Sequence, residues 1–189
     1  PLAELLPNGT VLDGEILPFT DGLPLGFNVL QTRIGRKKVS KKLLKEAPIV
    51  LMAYDLLEVD GEDIRPRPMS ERRELLEKLL TENDTQGIVH LSPIVAWNSW
   101  EELTIERNTA REKHSEGLML KRKNSEYKQG RKKGYWWKWK VDPLTIDAVM
   151  MYAQRGHGRR ANLYTDFTFG VWDGDVLVPF TKAYSGLTD

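Results

Sequence analysis

The feature that most constrains the fold is the stretch of residues 116–142, in which basic residues alternate with tryptophans. Nine lysines and arginines there face only three acidic residues. Apolar and polar residues alternate with period two, in part, over residues 117–123 and again over 135–141, which predicts two strands. The residues between them are polar and predict a mobile loop. The chain is therefore expected to contain a basic β-hairpin.

Alternation also sorts the side chains of the second strand between two faces. Trp136, Lys138 and Lys140 share one face, and Trp137 and Trp139 share the other. Two ammonium groups fixed on the same face, with indole rings anchoring the opposite one, suit a phosphate group. The alternative is a solvated basic hairpin around a tryptophan core, because runs of charge usually form solvated faces.

The first strand carries a carboxylate at its beginning. Leu118 and Leu120 share a face with Glu116, while Met119 and Lys121 point the other way. Glu116 lies at the mouth of this strand, where a carboxylate could hold a hard cation such as magnesium.

Two strings in this hairpin resemble motifs of a known family. Glu-Gly-Leu-Met-Leu-Lys (116–121) and Trp-Trp-Lys-Trp-Lys (136–140) resemble the fourth and fifth nucleotidyltransferase motifs of ATP-dependent DNA ligases. The resemblance implies that Lys138 and Lys140 are catalytic and neutralise the α-phosphate of ATP. It implies a further nucleotide contact for Lys121.

A second candidate site lies in residues 10–17, a β-rich run that follows an Asn-Gly turn. Asp13 and Glu15 share one face of this strand, and paired carboxylates are costly in a core unless they meet a cation or donors. The spacing alone leaves an exposed edge strand equally open. Leu-Asp-Gly-Glu resembles the third ligase motif, which implies that Glu15 lies near the nucleotide and its metal and that Asp13 supports the site. Glu15 and Glu116 are thus the expected magnesium ligands.

Residues 49–59 form the most apolar run and predict a central strand. Tyr54 in this strand could simply pack in a core, which is the commoner fate of such a residue. However, Ala-Tyr-Asp-Leu-Leu resembles the ligase motif whose aromatic ring stacks on adenine, a role that any flat ring can fill. The resemblance therefore implies that Tyr54 contacts adenine.

Three helices are predicted from their caps. Ser40 is expected to cap a short helix that ends at Glu46, and Ser70 to cap a longer one. Ser99 and Glu102 form a capping box before a helix over residues 100–113. The longer helix has an apolar stripe at helical spacing, made by Leu75, Leu76, Leu79 and Leu80.

The pattern changes after residue 142. Three β-rich runs, 144–153, 161–172 and 175–183, resemble the start of the OB-fold domain that follows the fifth motif in ligases. The glycine-rich basic segment 154–160 is either an ordinary hairpin loop or a contact to the DNA backbone, which glycine allows to approach closely. The candidate nucleic-acid contacts of this loop and of the hairpin loop are Arg155, Arg159, Arg160, Lys132 and Lys133.

Composition narrows the function classes. The 189 residues carry a net charge of only +1, so any signal for nucleic acid must be local. Cysteine is absent, which excludes a disulfide framework and thiolate chemistry. No apolar stretch approaches membrane-spanning length.

The predicted fold is α+β. An antiparallel-sheet nucleotidyltransferase (ATP-grasp-like) domain, partial, occupies residues 1–142, and the start of an OB-fold β-barrel occupies 143–189. The nucleophile motif of the family, Lys-x-Asp-Gly, is missing, because none of the four Asp-Gly pairs follows a lysine two residues earlier. The chain is therefore interpreted as an internal ligase segment that is inactive alone.

The resemblance implies that the whole enzyme seals nicks in duplex DNA through lysyl-AMP and DNA-adenylate intermediates, in repair, recombination or replication. It implies ATP and magnesium as cofactors, nicked DNA and DNA-repair proteins as partners, a monomer, and a bacterial cytoplasm with nucleoid association. The alternatives are an RNA ligase or capping-type nucleotidyltransferase, and a non-catalytic nucleic-acid-binding fragment. Glu-Gly-Leu-Met-Leu-Lys favours the DNA ligase.

Overall fold

A computed structural model describes residues 2–184. The chain divides into two compact units at the boundary between Val141 and Asp142. Strands and helices are mixed in the first unit, and the described residues of the second, 142–184, form a small sheet with one short 3-10 helix. The predicted α+β class is confirmed.

The main sheet of the first unit has five strands. They are β1 (Val11–Thr20), β2 (Leu23–Pro24), β3 (Ile49–Val59), β4 (Glu62–Asp63) and β5 (Val89–Leu91). The order is β2-β1-β3-β4 with antiparallel neighbours, and β5 pairs in parallel with β3. The apolar run is thus the central strand, as predicted.

Helices precede, separate and follow the strands of this sheet along the chain. They are α1 (Leu2–Leu5), α2 (Phe27–Gln31), α3 (Lys41–Glu46), α4 (Met69–Glu82) and α5 (Trp100–Asn108). The Ser40 hydroxyl accepts from the Leu43 amide at 3.2 Å, and Ser99 caps α5 in the same way, so both predicted caps are confirmed. Helix α5 ends five residues before the predicted end at 113.

The predicted cap of α4 is wrong. Pro68 occupies the cap position, where its fixed backbone angle suits helix entry, and it has no side-chain donor or acceptor to cap with. Ser70 lies in the first turn instead, and its amide donates to the Lys123 carbonyl at 2.9 Å. The start of α4 is therefore joined to the segment that follows the first hairpin strand.

The core lies between α4 and the main sheet. The leucine stripe of α4 meets β3, and the buried members of this core are Ala53, Leu56, Ile64, Leu76, Leu79 and Val89. Burying one such leucine contributes about 1.5–3 kcal/mol, so this layer stabilises the sheet that carries the candidate site residues.

The sheet is irregular where the site residues lie. Asp13 pairs with Asp55 and Gly14 with Ala53, so Tyr54 is the extra residue of a β-bulge. A Cβ atom on Gly14 would come within 2.7 Å of the Met52 carbonyl oxygen, so only glycine fits at this close approach. The regular pairing of β1 with β3 is therefore interrupted between Asp13 and Gly14.

The basic hairpin is formed by β6 (Gly117–Lys121) and β7 (Trp136–Lys140), paired antiparallel. Gly117 has φ +142°, and a Cβ there would lie 2.3 Å from the Trp139 carbonyl oxygen, which requires glycine immediately after Glu116. The pairing sets Met119 opposite Lys138, so the predicted faces of both strands are observed.

The two tryptophans on the other face behave differently. Trp139 packs edge-on against Trp100 with a ring separation of 6.1 Å, and the Arg107 guanidinium lies 5.0 Å from its ring centre. Trp137 is 49% exposed. Only Trp139 is thus the anchor that the sequence predicts for this face.

In the described part of the second unit, three antiparallel strands lie in the order β10-β9-β8, namely β8 (Val149–Arg155), β9 (Tyr164–Asp173) and β10 (Val176–Ala183). Gly174, with φ +58°, makes the turn between the last two. Within residues 2–184 no helix combines the length and the apolar character needed to cross a membrane.

Candidate active site

Two tyrosine hydroxyls meet on one carboxylate at the bulge of the main sheet. Tyr54 donates to Asp13 Oδ1 at 3.0 Å, and Tyr127 donates to Asp13 Oδ2 at 2.7 Å. Burial, and then the neighbouring Asp13 charge, raises the pKa of Tyr54, and burial with the Asp13 hydrogen bond raises the pKa of Tyr127 to about 12. Both phenols are therefore protonated donors at neutral pH.

Lys121 lies between two aromatic rings. Its Nζ is 4.3 Å from the Tyr54 ring centre and 4.1 Å from that of Trp136. Burial lowers the pKa of this ammonium to about 8, although the charges of Asp55 and Asp13 act in the opposite direction. The last residue of β6 thereby connects the hairpin to the central strand.

A buried ion pair underlies this cluster. Arg72 and Asp55 are 0% and 1% exposed, and the guanidinium donates two hydrogen bonds of 2.8 and 2.9 Å to the carboxylate. Arg72 also donates to the main-chain carbonyls of Arg67 and Ser125, and the Leu56 amide donates to Asp55. The pair is therefore well satisfied, as a buried pair must be.

The first half of the hairpin loop is held against the body of the unit, contrary to the prediction of a mobile loop. Ser125 is only 1% exposed and receives the Arg72 bond at 3.1 Å. The amide of Tyr127 donates to the Arg65 carbonyl at 2.8 Å, and Lys123 accepts from α4. These bonds fix the position of the Tyr127 ring.

The two strand lysines and Glu116 form an electrostatic group at the start of the hairpin. Lys140 makes an ion pair with Glu116, and Lys138 stands on the Met119 face. The hydrogen bond from Lys140, its charge, and the charge of Lys138 together lower the pKa of the Glu116 carboxyl. Glu116 is thus engaged by a lysine, in a position where the sequence predicts a metal ligand.

An open cleft of about 540 Å³ lies along the Met119 face of the hairpin. Its lining brings Lys138 together with Lys132, which the sequence assigns to a separate, DNA-contacting loop. Lys133 is exposed and is not among the lining residues. Lys132 and Lys133 therefore occupy different environments, although they are neighbours in sequence.

The carboxylates do not form a ready-made metal site. Residues 2–184 contain no group of three or more His, Cys, Asp or Glu side chains that could hold a metal ion. Glu15 is exposed on β1, one residue beyond the bulge partner Gly14. A magnesium ion here would need oxygen ligands from nucleotide phosphates and water besides these carboxylates, which is how magnesium usually binds.

The predicted nucleic-acid contacts of the second unit lie in one exposed segment that begins at the end of β8. Arg155 ends β8 and lines a polar cleft of about 450 Å³ together with His157 and Asp166. Arg159 and Arg160 lie in the 3-10 helix that follows.

Sequence reasoning missed the residues that support the site through buried contacts and hydrogen bonds, namely Arg72, Asp55, Ser125 and Tyr127. A signal was present for two of them. Arg72 lies four and seven residues before Leu76 and Leu79, on the apolar stripe of α4, and Asp55 lies in an otherwise apolar strand. Charged residues are rarely fully buried unless they are paired, so a cation on a buried helix stripe and an anion in a buried strand indicate an ion pair between them.

Comparison with known proteins agrees with this geometry. Residues 2–140 match the family model described as "ATP dependent DNA ligase domain". The chain belongs to the ATP-dependent DNA ligase family, as its motifs predict.

Curated relatives share about a third of their aligned residues with the chain. A probable DNA ligase of Koribacter versatilis is 35% identical over 209 aligned positions, which include 100% of this chain and 36% of the relative. DNA ligase 1 of Korarchaeum cryptofilum is 34% identical over 95% of this chain and 32% of its own length. The chain thus spans about a third of the length of these relatives.

Solved structures share the fold. A Lig E DNA ligase studied for DNA binding with a minimal scaffold has a TM-score of 0.67 at 20% identity, covering 94% of this chain and 62% of that one. Mycobacterial DNA ligase D complexed with ATP has a TM-score of 0.54 at 23% identity, covering 95% of this chain and 51% of that one. The predicted ligase nucleotidyltransferase fold is confirmed.

Proposed function

We propose that the full-length gene product is an ATP-dependent DNA ligase that seals nicks in duplex DNA through lysyl-AMP and DNA-adenylate intermediates. The observation that carries the proposal is the arrangement of Lys121 between the Tyr54 and Trp136 rings, on the hairpin that also bears Lys138 and Lys140. Aromatic faces suit a base and a cluster of ammonium groups suits phosphates.

The residues are proposed to act on different parts of the nucleotide. Tyr54 stacks on adenine. Lys121 contacts a phosphate or another part of the nucleotide. Lys138 and Lys140 neutralise charge that develops on the α-phosphate, an effect that preorganised donors deliver in a desolvated site. The nucleophilic lysine is proposed to lie outside residues 1–189, since no Asp-Gly pair here completes the family motif.

Magnesium is proposed to be held by Glu15 and Glu116 with phosphate oxygens and water. The exposed Glu15 carboxylate fits this role, and Glu116 fits it once Lys140 turns from the carboxylate to a phosphate. When bound, the ion would add positive charge beside the phosphates. The chain itself supplies the carboxylates and the lysines that balance them.

Residues 1–142 are proposed as part of the adenylation domain and 143–189 as the beginning of an OB-fold domain. Backbone contacts to DNA are assigned to exposed cations of both, namely Lys132, Lys133, Arg155, Arg159 and Arg160. We further propose a monomeric enzyme of the bacterial cytoplasm, associated with the nucleoid and with repair proteins, as the resemblance to ligases implies.

The test is a labelling and sealing assay on the full-length gene product. Incubation with α-labelled ATP or GTP and magnesium, followed by denaturation, reports covalent nucleotide, and a nicked duplex of DNA or of RNA then reports sealing. We expect an AMP adduct and sealing of the DNA nick. A GMP adduct, or sealing of RNA alone, would instead identify a capping-type enzyme or an RNA ligase. DNA binding without any adduct would identify a non-catalytic binding protein.

A further inference from the structure

Asp13 receives a phenol hydroxyl on each of its two oxygens, from residues 41 and 114 positions away in sequence. We propose that Asp13 and Tyr127 are positioning residues, which hold the far end of the Tyr54 ring where a nucleotide base can stack on it. The inference rests on the proposed stacking role of Tyr54 and deepens it.

The Tyr54 ring needs such a support because of its place in the backbone. Tyr54 is the extra residue of the bulge between β1 and β3, so regular pairing with β1 does not fix its direction. The 3.0 Å bond to Asp13 holds its hydroxyl end, while the Lys121 ammonium covers the ring at 4.3 Å. An aromatic side chain without such contacts has a broad torsional range.

Tyr127 is itself held firmly enough to act as the anchor. Its amide donates to the Arg65 carbonyl, and the Trp136 ring packs against it edge-on at 5.5 Å. The buried Arg72 guanidinium lies 5.9 Å from the Tyr127 ring centre and fixes Ser125, two residues earlier. The support therefore runs from the buried ion pair to Tyr127, then to Asp13 and to Tyr54.

The raised pKa values of both tyrosines agree with this arrangement. Protonated phenols donate throughout the neutral range, and the carboxylate between them is the natural acceptor. Replacing Tyr127 by phenylalanine removes one donor but preserves the ring that packs against Trp136. Any effect of Tyr127→Phe on the Tyr54 ring therefore reports the loss of the hydrogen bond between Tyr127 and Asp13.

The experiment compares two ligands in calorimetric titrations of the full-length gene product. ATP reports base and phosphate contacts together, whereas inorganic triphosphate reports the phosphate contacts alone. We expect Tyr127→Phe to weaken ATP binding about 3- to 10-fold, a part of the whole stacking contribution, and to change triphosphate binding less than about twofold. Asp13→Asn should act in the same direction, because an amide nitrogen cannot accept from a phenol.

A matched control is Tyr152→Phe, which removes a hydroxyl from an exposed tyrosine of β8 and should change neither titration. Equal losses of ATP and triphosphate binding in Tyr127→Phe would overturn the inference, because they would mean that the residue supports the whole site. Unchanged ATP binding in both Tyr127→Phe and Asp13→Asn would overturn it as well.

A double variant tests whether Tyr127 acts through Tyr54. In a Tyr54→Ala background, Tyr127→Phe should cause no further loss of ATP binding, because the ring that it positions is gone. A further loss of the same size would overturn the inference and leave the proposed function standing. If Tyr54→Ala alone binds ATP as tightly as the wild type, the proposed stacking fails, and the positioning role fails with it.

Discussion

Arg72→Met is the change whose cost the structure specifies best. The guanidinium is 0% exposed and makes two bonds to Asp55 and two more to main-chain carbonyls. Methionine fills similar space but leaves the Asp55 carboxylate buried without its partner, which typically costs about 3–5 kcal/mol. Because domains are stable by only about 5–15 kcal/mol, this single change should remove a large part of the stability.

The assay is urea unfolding followed by tryptophan fluorescence. The control is Lys78→Met in the same helix, since Lys78 pairs with Glu82 at 3.8 Å and both side chains are more than half exposed. An exposed pair of this kind should contribute less than about 1 kcal/mol. The predicted difference between the two variants is therefore at least about 2 kcal/mol in the free energy of unfolding.

A second arm separates charge from hydrogen bonding. Asp55→Leu combined with Arg72→Met removes both charges, so the cost of an unpaired buried carboxylate should disappear. The carbonyls of Arg67 and Ser125 would still lack the donor that Arg72 provides, at about 1–3 kcal/mol for each group left unsatisfied. The reasoning is refuted if Arg72→Met costs no more than Lys78→Met, or if the double variant is less stable than Arg72→Met.

Three further predictions follow from the site. Tyr54→Phe should weaken ATP binding measurably, although it keeps the ring face, because the hydrogen bond to Asp13 is lost. Tyr54→Ala should weaken the free energy of ATP binding by about 1–3 kcal/mol. Equal losses in the two variants would assign the whole effect to the hydroxyl. Lys138→Ala should slow single-turnover adenylation about 100- to 1,000-fold. Lys133→Ala should weaken only DNA binding, and the DNA affinity of this variant should depend less on salt than that of the wild type. Loss of adenylation in the Lys133 variant alone would contradict this assignment. The pKa of Lys121 is about 8 in the folded chain, against an ordinary value of 10.5, so the unfolded chain binds more protons between these pH values. The free energy of unfolding should therefore rise with pH from pH 8 to about pH 10. Lys121→Met should flatten that rise in urea titrations.

The parts of the fold that sequence predicts well are those in which periodicity and burial agree. The central strand begins and ends at the predicted residues, 49 and 59, and both hairpin strands lie within two residues of their predicted bounds. The leucine stripe of α4 is the face that packs on this sheet. Each of these elements is specified by neighbours in sequence, which a local pattern records.

The support of the site is specified by contacts between distant residues, and a local pattern does not record those. Asp13 and Tyr127 are 114 residues apart, and the bulge at Tyr54 depends on the register of two strands. The cap predicted at Ser70 fails because α4 begins at Met69, after Pro68, which places Ser70 within the first turn. The amide of Ser70, which has no partner within the helix at this position, donates to the distant Lys123 carbonyl instead.

The pair of carboxylates on β1 shows how the structure distinguishes two residues that spacing treats alike. Asp13 and Glu15 were equally compatible with an exposed edge and with a cation site. In the structure Asp13 is half-buried and bonded to two phenols, whereas Glu15 is exposed and accepts no side-chain hydrogen bond from the described residues 2–184. Desolvation makes the first a suitable internal acceptor, and solvation leaves the second free to approach a hydrated magnesium ion. Two carboxylates, two positions apart, are therefore suited to two tasks, with the structural one at Asp13 and the proposed ligand role at Glu15.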